Sequence, residues 1–406
     1  MRILLANNNY IISGGAEVFY HEVGRILEKC GNAVAFFSAK DVSTNDIEWG
    51  TYFPRVADYS SGSIISRTVA FPSMIFNRQA KERMALMIRD FKPDIIHCFA
   101  IYVKLTASIL AAAREAEVPV VMSCNDYKHI CPNYKLYHHG HVCEACKGGR
   151  YYQAVINRCC HGSLIYSMAS SVEAYTHDML DIYRKNVNTF LFASKFMAHK
   201  TEEFWAPDSF RWRMLINPFN ALKFEYSQTS EDYILYFGRL IDEKGVNVLL
   251  DAIALLPDIK LIVVGDGPDY ALLERQAMAL GLNRVSFVGP KWGAELDDIL
   301  RRCLFVVVPS LWHENFPYVI LQSFAFGKPV VGSKRGGIPE LVSHGERGLV
   351  YEATDPIELA KCILQLWDNK LATIEMGHAA KSYVDETFNE EAFYRTLMDI
   401  YSEALA

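Results

Sequence analysis

A short loop presents one acid, Glu314, between an apolar run at residues 303–308 and an apolar-faced helix opened by Pro317. It belongs to the stretch 309–342, PSLWHENFPYVILQSFAFGKPVVGSKRGGIPELV, which holds a second strand-like run at 329–332 and a Gly336-Gly337 turn before another helix. A carboxylate accepts hydrogen bonds from hydroxyls, and the open amides of two helix starts suit an anion. Upstream, Tyr233 to Leu240 (YILYFGRL) runs as a strand into Gly238-Arg239, and Asp242-Glu243-Lys244-Gly245 follows. Arg239 offers a planar fork of donors and Lys244 a compact charge, a pairing suited to a diphosphate. Leu261 to Val264 breaks at Gly265-Asp266-Gly267-Pro268, where a flat ring could approach the backbone. At the amino end a strand at 2–6 precedes Ser13-Gly14-Gly15-Ala16-Glu17, which opens a helix. Each glycine turn alone is ordinary α/β punctuation, and their order and spacing together carry the signal. A sugar joined to a phosphate is one ligand that answers both the acid and the cations.

With these motifs the chain resembles the retaining glycosyltransferases of family 4, whose architecture is GT-B. The resemblance spans Gly14-Gly15-Ala16-Glu17, Gly238-Arg239, Lys244-Gly245, Gly265-Asp266-Gly267-Pro268, Glu314-Asn315-Phe316-Pro317 and Gly336-Gly337-Ile338-Pro339-Glu340. It implies an α/β fold of two Rossmann-like doubly wound domains facing across a cleft. It implies transfer of a hexose-type sugar, with retention, from a nucleotide diphosphate sugar (UDP- or GDP-linked) to a hydroxyl acceptor, and no cofactor for catalysis. The acceptor would be a glycan, a lipid-linked molecule or a small molecule. Carried over residue by residue, Arg239 and Lys244 address the diphosphate and Glu314 a sugar hydroxyl. Gly14, Gly15, Gly238, Gly265, Asn315, Phe316, Pro317, Tyr318 and Val319 line the donor, with backbone amides from Phe316, Tyr318 and Val319. Two positions depart from the family. Gln322 stands where a second glutamate grips the ribose, and Asn125-Asp126 stands where His-Asp is common. An amide keeps one neutral hydrogen bond where a carboxylate would make charge-assisted ones. His129 either substitutes for the missing histidine or is a loop residue without a role. The departures keep a non-catalytic sugar-nucleotide binding protein in view, and a GT-B nucleotide-sugar epimerase is the other alternative.

The 406 residues suffice for two domains with full cores. Hydrophobic residues make up 51% and charged residues 22%, a globular balance. The net charge, 41 − 47 = −6, gives no electrostatic case for nucleic acid. No apolar run approaches the roughly 20 residues that span a bilayer. MRILLANNNY reads as a first strand rather than a signal peptide, so a cytoplasmic protein is expected, peripheral on the inner membrane face if it meets lipid. A basic apolar stretch at 60–91 suits either a membrane surface or a helix pair packed on the sheet. Six of the ten cysteines, Cys124, Cys131, Cys143, Cys146, Cys159 and Cys160, crowd into an insert at 124–161. Cys143-x-x-Cys146 has metal-knuckle spacing, and with Cys131 and Cys159 a structural zinc is expected there. An unliganded cluster and disulfides are the other readings, the second disfavoured by a reducing compartment.

The elements that must position these residues alternate. Strands are expected at 3–6, 33–38, 95–98, 118–123 and 189–193, with helices between, including 16–29 and 106–116. Such alternation gives a doubly wound parallel sheet. Ile216-Asn217-Pro218-Phe219 interrupts it, and it resumes at Tyr233 with helices at 245–255, 270–280 and 295–302. An acceptor-binding domain is therefore expected over 1–216 and a nucleotide-sugar domain over 217–388. The last helix, 389–406, is expected to return to the first domain.

Overall fold

The computed structural model describes residues 1–12, 14–41, 44, 47–56, 73–224, 226, 230–256 and 259–406. Of the basic apolar 60–91 stretch, Ile64, Ile65, Val69 and Phe71 therefore lie outside the described residues. The chain divides into two compact units. Unit one comprises Met1–Leu136, Glu144–Pro218 and Glu390–Ala406, and unit two Tyr137–Cys143 and Phe219–Asn389.

Unit one is built on β1 (Arg2–Ala6), β2 (Ala33–Phe37), β3 (Ile95–Cys98), β4 (Val120–Cys124), β7 (Thr189–Phe192) and β8 (Trp212–Met214). They form one parallel sheet in the order β2-β1-β3-β4-β7-β8. Its inner strands are mostly apolar and buried, as a sheet covered on both faces demands. Helices α1 (Gly15–Lys29), α2 (Arg78–Phe91), α3 (Ser108–Glu115), α4 (Tyr152–Ile156), α5 (Leu164–Met179), α6 (Ile182–Asn186) and α7 (Lys195–Trp205) accompany it. The β3 register is fixed by two-sided pairing, Ile96 opposite Leu4 on one side and Val120 on the other.

Unit two repeats the design with β9 (Ile234–Phe237), β10 (Leu261–Val264), β11 (Val285–Phe287), β12 (Val306–Val308), β13 (Val330–Ser333) and β14 (Gly348–Tyr351). All pairs are parallel, in the order β11-β10-β9-β12-β13-β14. This is the dinucleotide-binding order, in which the direction of winding reverses between the first and fourth strands. The reversal falls between β9 and β12, so the loops leaving those two strands lie side by side at the switch point. Helices α8 (Val246–Ala254), α9 (Tyr270–Ala279), α10 (Ala294–Arg302), α11 (Tyr318–Ala325), α12 (Ile338–Val342), α13 (Pro356–Asp368) and α14 (Lys370–Thr387) complete the unit. A small hairpin, β5 (Tyr137–His138) with β6 (His141–Val142), leaves the cysteine-rich insert for this unit. Tyr137 is buried in the unit-two core and donates to Asp242 Oδ2 at 2.8 Å.

The last helix, α15 (Glu390–Leu405), packs on unit one through Leu397, Ile400 and Tyr401, all fully buried against Ile3, Leu5, Phe19 and Val23. Lys29 pairs with Glu390 at 2.7 Å, and Arg25 also meets Glu390. At the centre, His97 joins Tyr401 Oη through Nδ1 and Ser123 Oγ through Nε2, both at 2.8 Å. Burial pushes the imidazole pKa down to about 3, so the ring is neutral. Replacing Tyr401 by Phe strands a buried ring nitrogen and is expected to cost about 1–3 kcal/mol. Urea unfolding of the full chain measures this, and an unchanged free energy refutes it. Because unfolded His97 takes up a proton near pH 6.5 and the folded ring does not, the contribution is full above that pH. It fades as the pH falls toward 3.

Candidate functional site

At the switch point of unit two, Lys244 Nζ meets Glu314 Oε1 at 2.6 Å. Lys244 comes from the loop after β9 and Glu314 from the loop after β12. Ser310 Oγ donates to the same carboxylate oxygen at 2.7 Å. Glu314 is only 5% exposed, and burial alone would raise its pKa. The charge and hydrogen bond of Lys244, together with the Ser310 hydroxyl, outweigh burial and hold it below the usual carboxylate range. The acid is therefore ionised, and Lys244 also lies 5.6 Å from the Trp312 ring centroid.

The backbone around Glu314 is gripped from several sides. Leu311 N–H donates to Glu243 O at 2.9 Å, Ser333 Oγ to Ser310 O at 2.6 Å, and Arg335 Nε to Leu311 O at 3.0 Å. Gly337 N–H donates to Glu314 O at 2.7 Å. Gly336 adopts φ +59°, and a Cβ there would lie 2.0 Å from Glu314 O. The Gly-Gly turn after β13 thus lets the backbone come close enough to clamp the acid. Gly245 plays the same part on the other loop, where a Cβ would meet Pro309 O at 2.0 Å.

Gly238 and Gly265 also meet. Gly238 N–H donates to Val264 O at 3.0 Å, and a Cβ on Gly265 would lie 1.8 Å from Gly238 O. These two glycines let adjacent strand ends approach each other. Arg239 is exposed and makes no ion pair among the described residues. Asn315 is buried, Phe316 is half-buried against Tyr318 and Phe388, and Pro317 caps α11. Tyr318 and Val319 supply its first-turn amides, and Gln322 lies half-buried one turn along.

In unit one, strand order reverses between β1 and β3, and the loops leaving them are tied together. Asn7 Oδ1 accepts from Ala100 N–H, Asn8 Oδ1 from Lys104 and Leu105 N–H, and Lys104 Nζ donates to Asn9 Oδ1 at 2.6 Å. Asn9 in turn donates to Glu17 Oε1. Gly14 caps α1 in extended backbone, and Gly15 begins that helix. Asn125 and Asp126 follow β4, both half-buried. Asn125 Nδ2 is buried without a hydrogen-bond partner among the described residues. Burial lifts Asp126 to about 6 against the pull of the Lys128 backbone N–H and charge, close to the range of a useful base. His129 is a core residue, 6% exposed, with Nε2 on Thr201 Oγ1 at 2.8 Å and its ring beside Trp205.

The zinc expectation needs correction. Among the described residues, no three or more His, Cys, Asp or Glu side chains form a group able to hold a metal ion. Cys131, Cys143, Cys146 and Cys159 are not gathered around one point. Cys131 is buried in the main core of unit one and hydrogen-bonds Asn133. Cys146 and Cys159 pack in a small apolar cluster with Tyr151 and Ala154, while Cys143 ends the segment that belongs to unit two.

Residues that the sequence did not single out include Ser310, Trp312, Ser333 and Arg335. Trp312 and Ser310 stood within four residues of Glu314, and proximity was the one available signal. Arg335 and Ser333 act through backbone carbonyls far along the chain, which no local pattern reveals.

Residues 220–384 match the family model of glycosyl transferases group 1. This domain belongs to the glycosyl transferases group 1. The Glu314 loop, the Arg239 loop and the Gly336-Gly337 turn all fall inside the group 1 domain. The chain is 30% identical over 178 residues to an uncharacterized glycosyltransferase of Methanocaldococcus jannaschii, covering 44% of this chain and 50% of that protein. It is 32% identical over 184 residues to a D-inositol 3-phosphate glycosyltransferase of Corynebacterium glutamicum, 43% and 44% of the two chains. The matches thus span about half the length of these curated relatives. In fold the chain is similar to Anabaena HepE, solved in complex with UDP-glucose. That likeness has a TM-score of 0.64 at 19% identity, over 99% of this chain and 100% of that one. The two six-stranded parallel sheets accordingly match the GT-B fold.

Gly336→Ala is expected to lose about 1–3 kcal/mol of stability, because the new methyl must displace the Glu314 backbone. Thermal unfolding measures the cost, and a variant as stable as the parent would show that the clamp yields freely.

Proposed function

We infer that the protein is a retaining glycosyltransferase that moves a hexose-type sugar from a UDP- or GDP-sugar to a hydroxyl of a glycan, a lipid-linked molecule or a small molecule. The pair of half-buried Lys244 with buried Glu314 at the switch point carries this reading. It puts an ionised acceptor and a cation within one hydrogen bond of each other, beside an exposed guanidinium on the same β9 loop. Such a set matches a ligand with hydroxyls at one end and phosphates at the other. HepE, whose fold this chain shares, is solved with UDP-glucose, which supports a nucleotide-sugar donor.

In the proposed reaction Glu314 holds a sugar hydroxyl, while Arg239 and Lys244 receive the charge that grows on the leaving diphosphate. Backbone amides of Phe316, Tyr318 and Val319 at the start of α11 assist, and Gln322 accepts from the ribose. Gly14 and Gly15 supply backbone to the phosphate from the first domain. Asn125 and Asp126 serve the acceptor or the sugar, with the Asn125 amide available as a donor. The leaving phosphate itself helps take the proton of the incoming hydroxyl. Lys244 divides its charge between Glu314 and the diphosphate, so the donor must compete with an existing ion pair.

Arg239→Ala and Lys244→Ala are each expected to lower turnover of a labelled nucleotide sugar at least about tenfold, and up to about 10²–10³. Glu314→Gln releases Lys244, so free nucleotide diphosphate should bind as tightly as before or tighter while turnover falls. Unchanged kinetics for both cation variants would overturn the diphosphate placement. Equal weakening of nucleotide and nucleotide sugar by Glu314→Gln would remove the acid from the sugar. Gln322→Glu should tighten donor binding by about 1 kcal/mol in calorimetry. Weaker binding would mean a pocket built around the amide.

A further inference from the structure

Helix α5 is amphipathic in the opposite sense to an ordinary surface helix. Its inward side carries Ser167, Ser171, Glu173 and His177. Leu164, Ile165, Met168, Val172, Tyr175 and Met179 are exposed at 46%, 66%, 44%, 45%, 41% and 80%. At 3.6 residues per turn these six share one arc of about 100°, with no charged or small side chain among them. The neighbouring α4 adds Tyr152 and Ile156, 47% and 67% exposed, and the Tyr152 N–H bonds the Tyr175 hydroxyl. A continuous apolar face two helices wide is far larger than the scattered apolar residues a monomer leaves in water.

The charges at its margin select an occupant. Every acid on or next to α5 is already engaged, Glu173 by Lys128 at 2.6 Å and both Asp178 and Asp181 by Arg184. Arg150 and Arg158, which bracket α4, and Lys185 beyond the far end of α5 are exposed and form no ion pair among the described residues. The charge left available is positive at both ends of the stripe. Two copies paired through this face would set cation against cation in either orientation. A negatively charged plane answers both ends at once, and tyrosines suit the boundary between headgroup and acyl chain. No helix among the described residues is long and apolar enough to cross a membrane, so the contact is one of lying on the surface.

We propose that the α4–α5 face docks the protein on an anionic lipid surface. The test is flotation of the full chain with vesicles of equimolar phosphatidylglycerol and phosphatidylcholine, against vesicles of phosphatidylcholine alone. The chain should float with the anionic vesicles and much less with the neutral ones. Ile165→Gln combined with Met179→Gln should weaken flotation about tenfold, since binding scales with buried apolar area. Arg158→Glu should weaken it at least about fivefold and blunt its salt sensitivity. Both variants change exposed residues, so their melting temperatures should match the parent. Absence of flotation on anionic vesicles overturns the proposal, as does flotation that the double variant leaves unchanged. A concentration-dependent dimer in sedimentation, abolished by the double variant while vesicles do not bind, would assign the face to a second copy instead. No donor or acceptor enters this experiment, so its failure and the failure of sugar transfer are separate results.

Discussion

The ion pair between half-buried Lys244 and buried Glu314 sets the terms for the second domain. A carboxylate that is 5% exposed costs several kcal/mol to desolvate unless a cation and hydrogen-bond donors meet it. Here one lysine and one serine hydroxyl meet the same oxygen, and the strand reversal between β9 and β12 brings their loops together. The surrounding glycines follow from that demand. Gly245 and Gly336 allow backbone to press on the loops that carry the pair, and the hydrogen bonds from Ser333, Arg335 and Gly337 fix the carbonyls of Ser310, Leu311 and Glu314. An acid held this rigidly can recognise a hydroxyl at low entropic cost, and a cation held beside it is ready for negative charge.

The first domain solves a different problem. Its sheet is stabilised on one face by a helix from the far end of the chain, and His97 stitches that helix to two strands. Its switch point is lined by asparagine side chains that satisfy the amides of the β3 loop. The domain then leaves a large apolar face on α4 and α5 uncovered, with polar side chains buried beneath it. Burying Glu173 and His177 under an outward stripe of Leu, Ile, Met and Val is costly for an isolated domain. It is intelligible where the stripe has an apolar environment to enter.

Much of this was legible in the chain itself. The long apolar runs, the glycine breaks and the alternating helices fixed the strand and helix assignments, because parallel strands buried on both faces must be apolar throughout. Glu314, Arg239, Lys244 and the glycine turns stood out because charge in a short loop after an apolar run has few structural uses. The short edge strands β8, β11 and β14 were harder to see. Trp212–Met214 is too short to show an apolar run of its own, and only its pairing with β7 makes it a strand.

Other features belong to the tertiary structure alone. Sequence spacing suggested a metal for four cysteines, but folding carries Cys143 into one unit, buries Cys131 and Cys146 in two different clusters and leaves Cys159 half-buried. Gly265 looked like an opening for a flat ring, and it also clears the path of the Gly238 carbonyl. That Lys244 and Glu314 touch, 70 residues apart, could not be read locally, since it depends on strand order. The sequence by itself determined which residues could do chemistry and which segments were strands and helices, because those follow from side-chain type and local period. The tertiary structure decided which of them meet, because contact between distant loops is set by how the sheets wind.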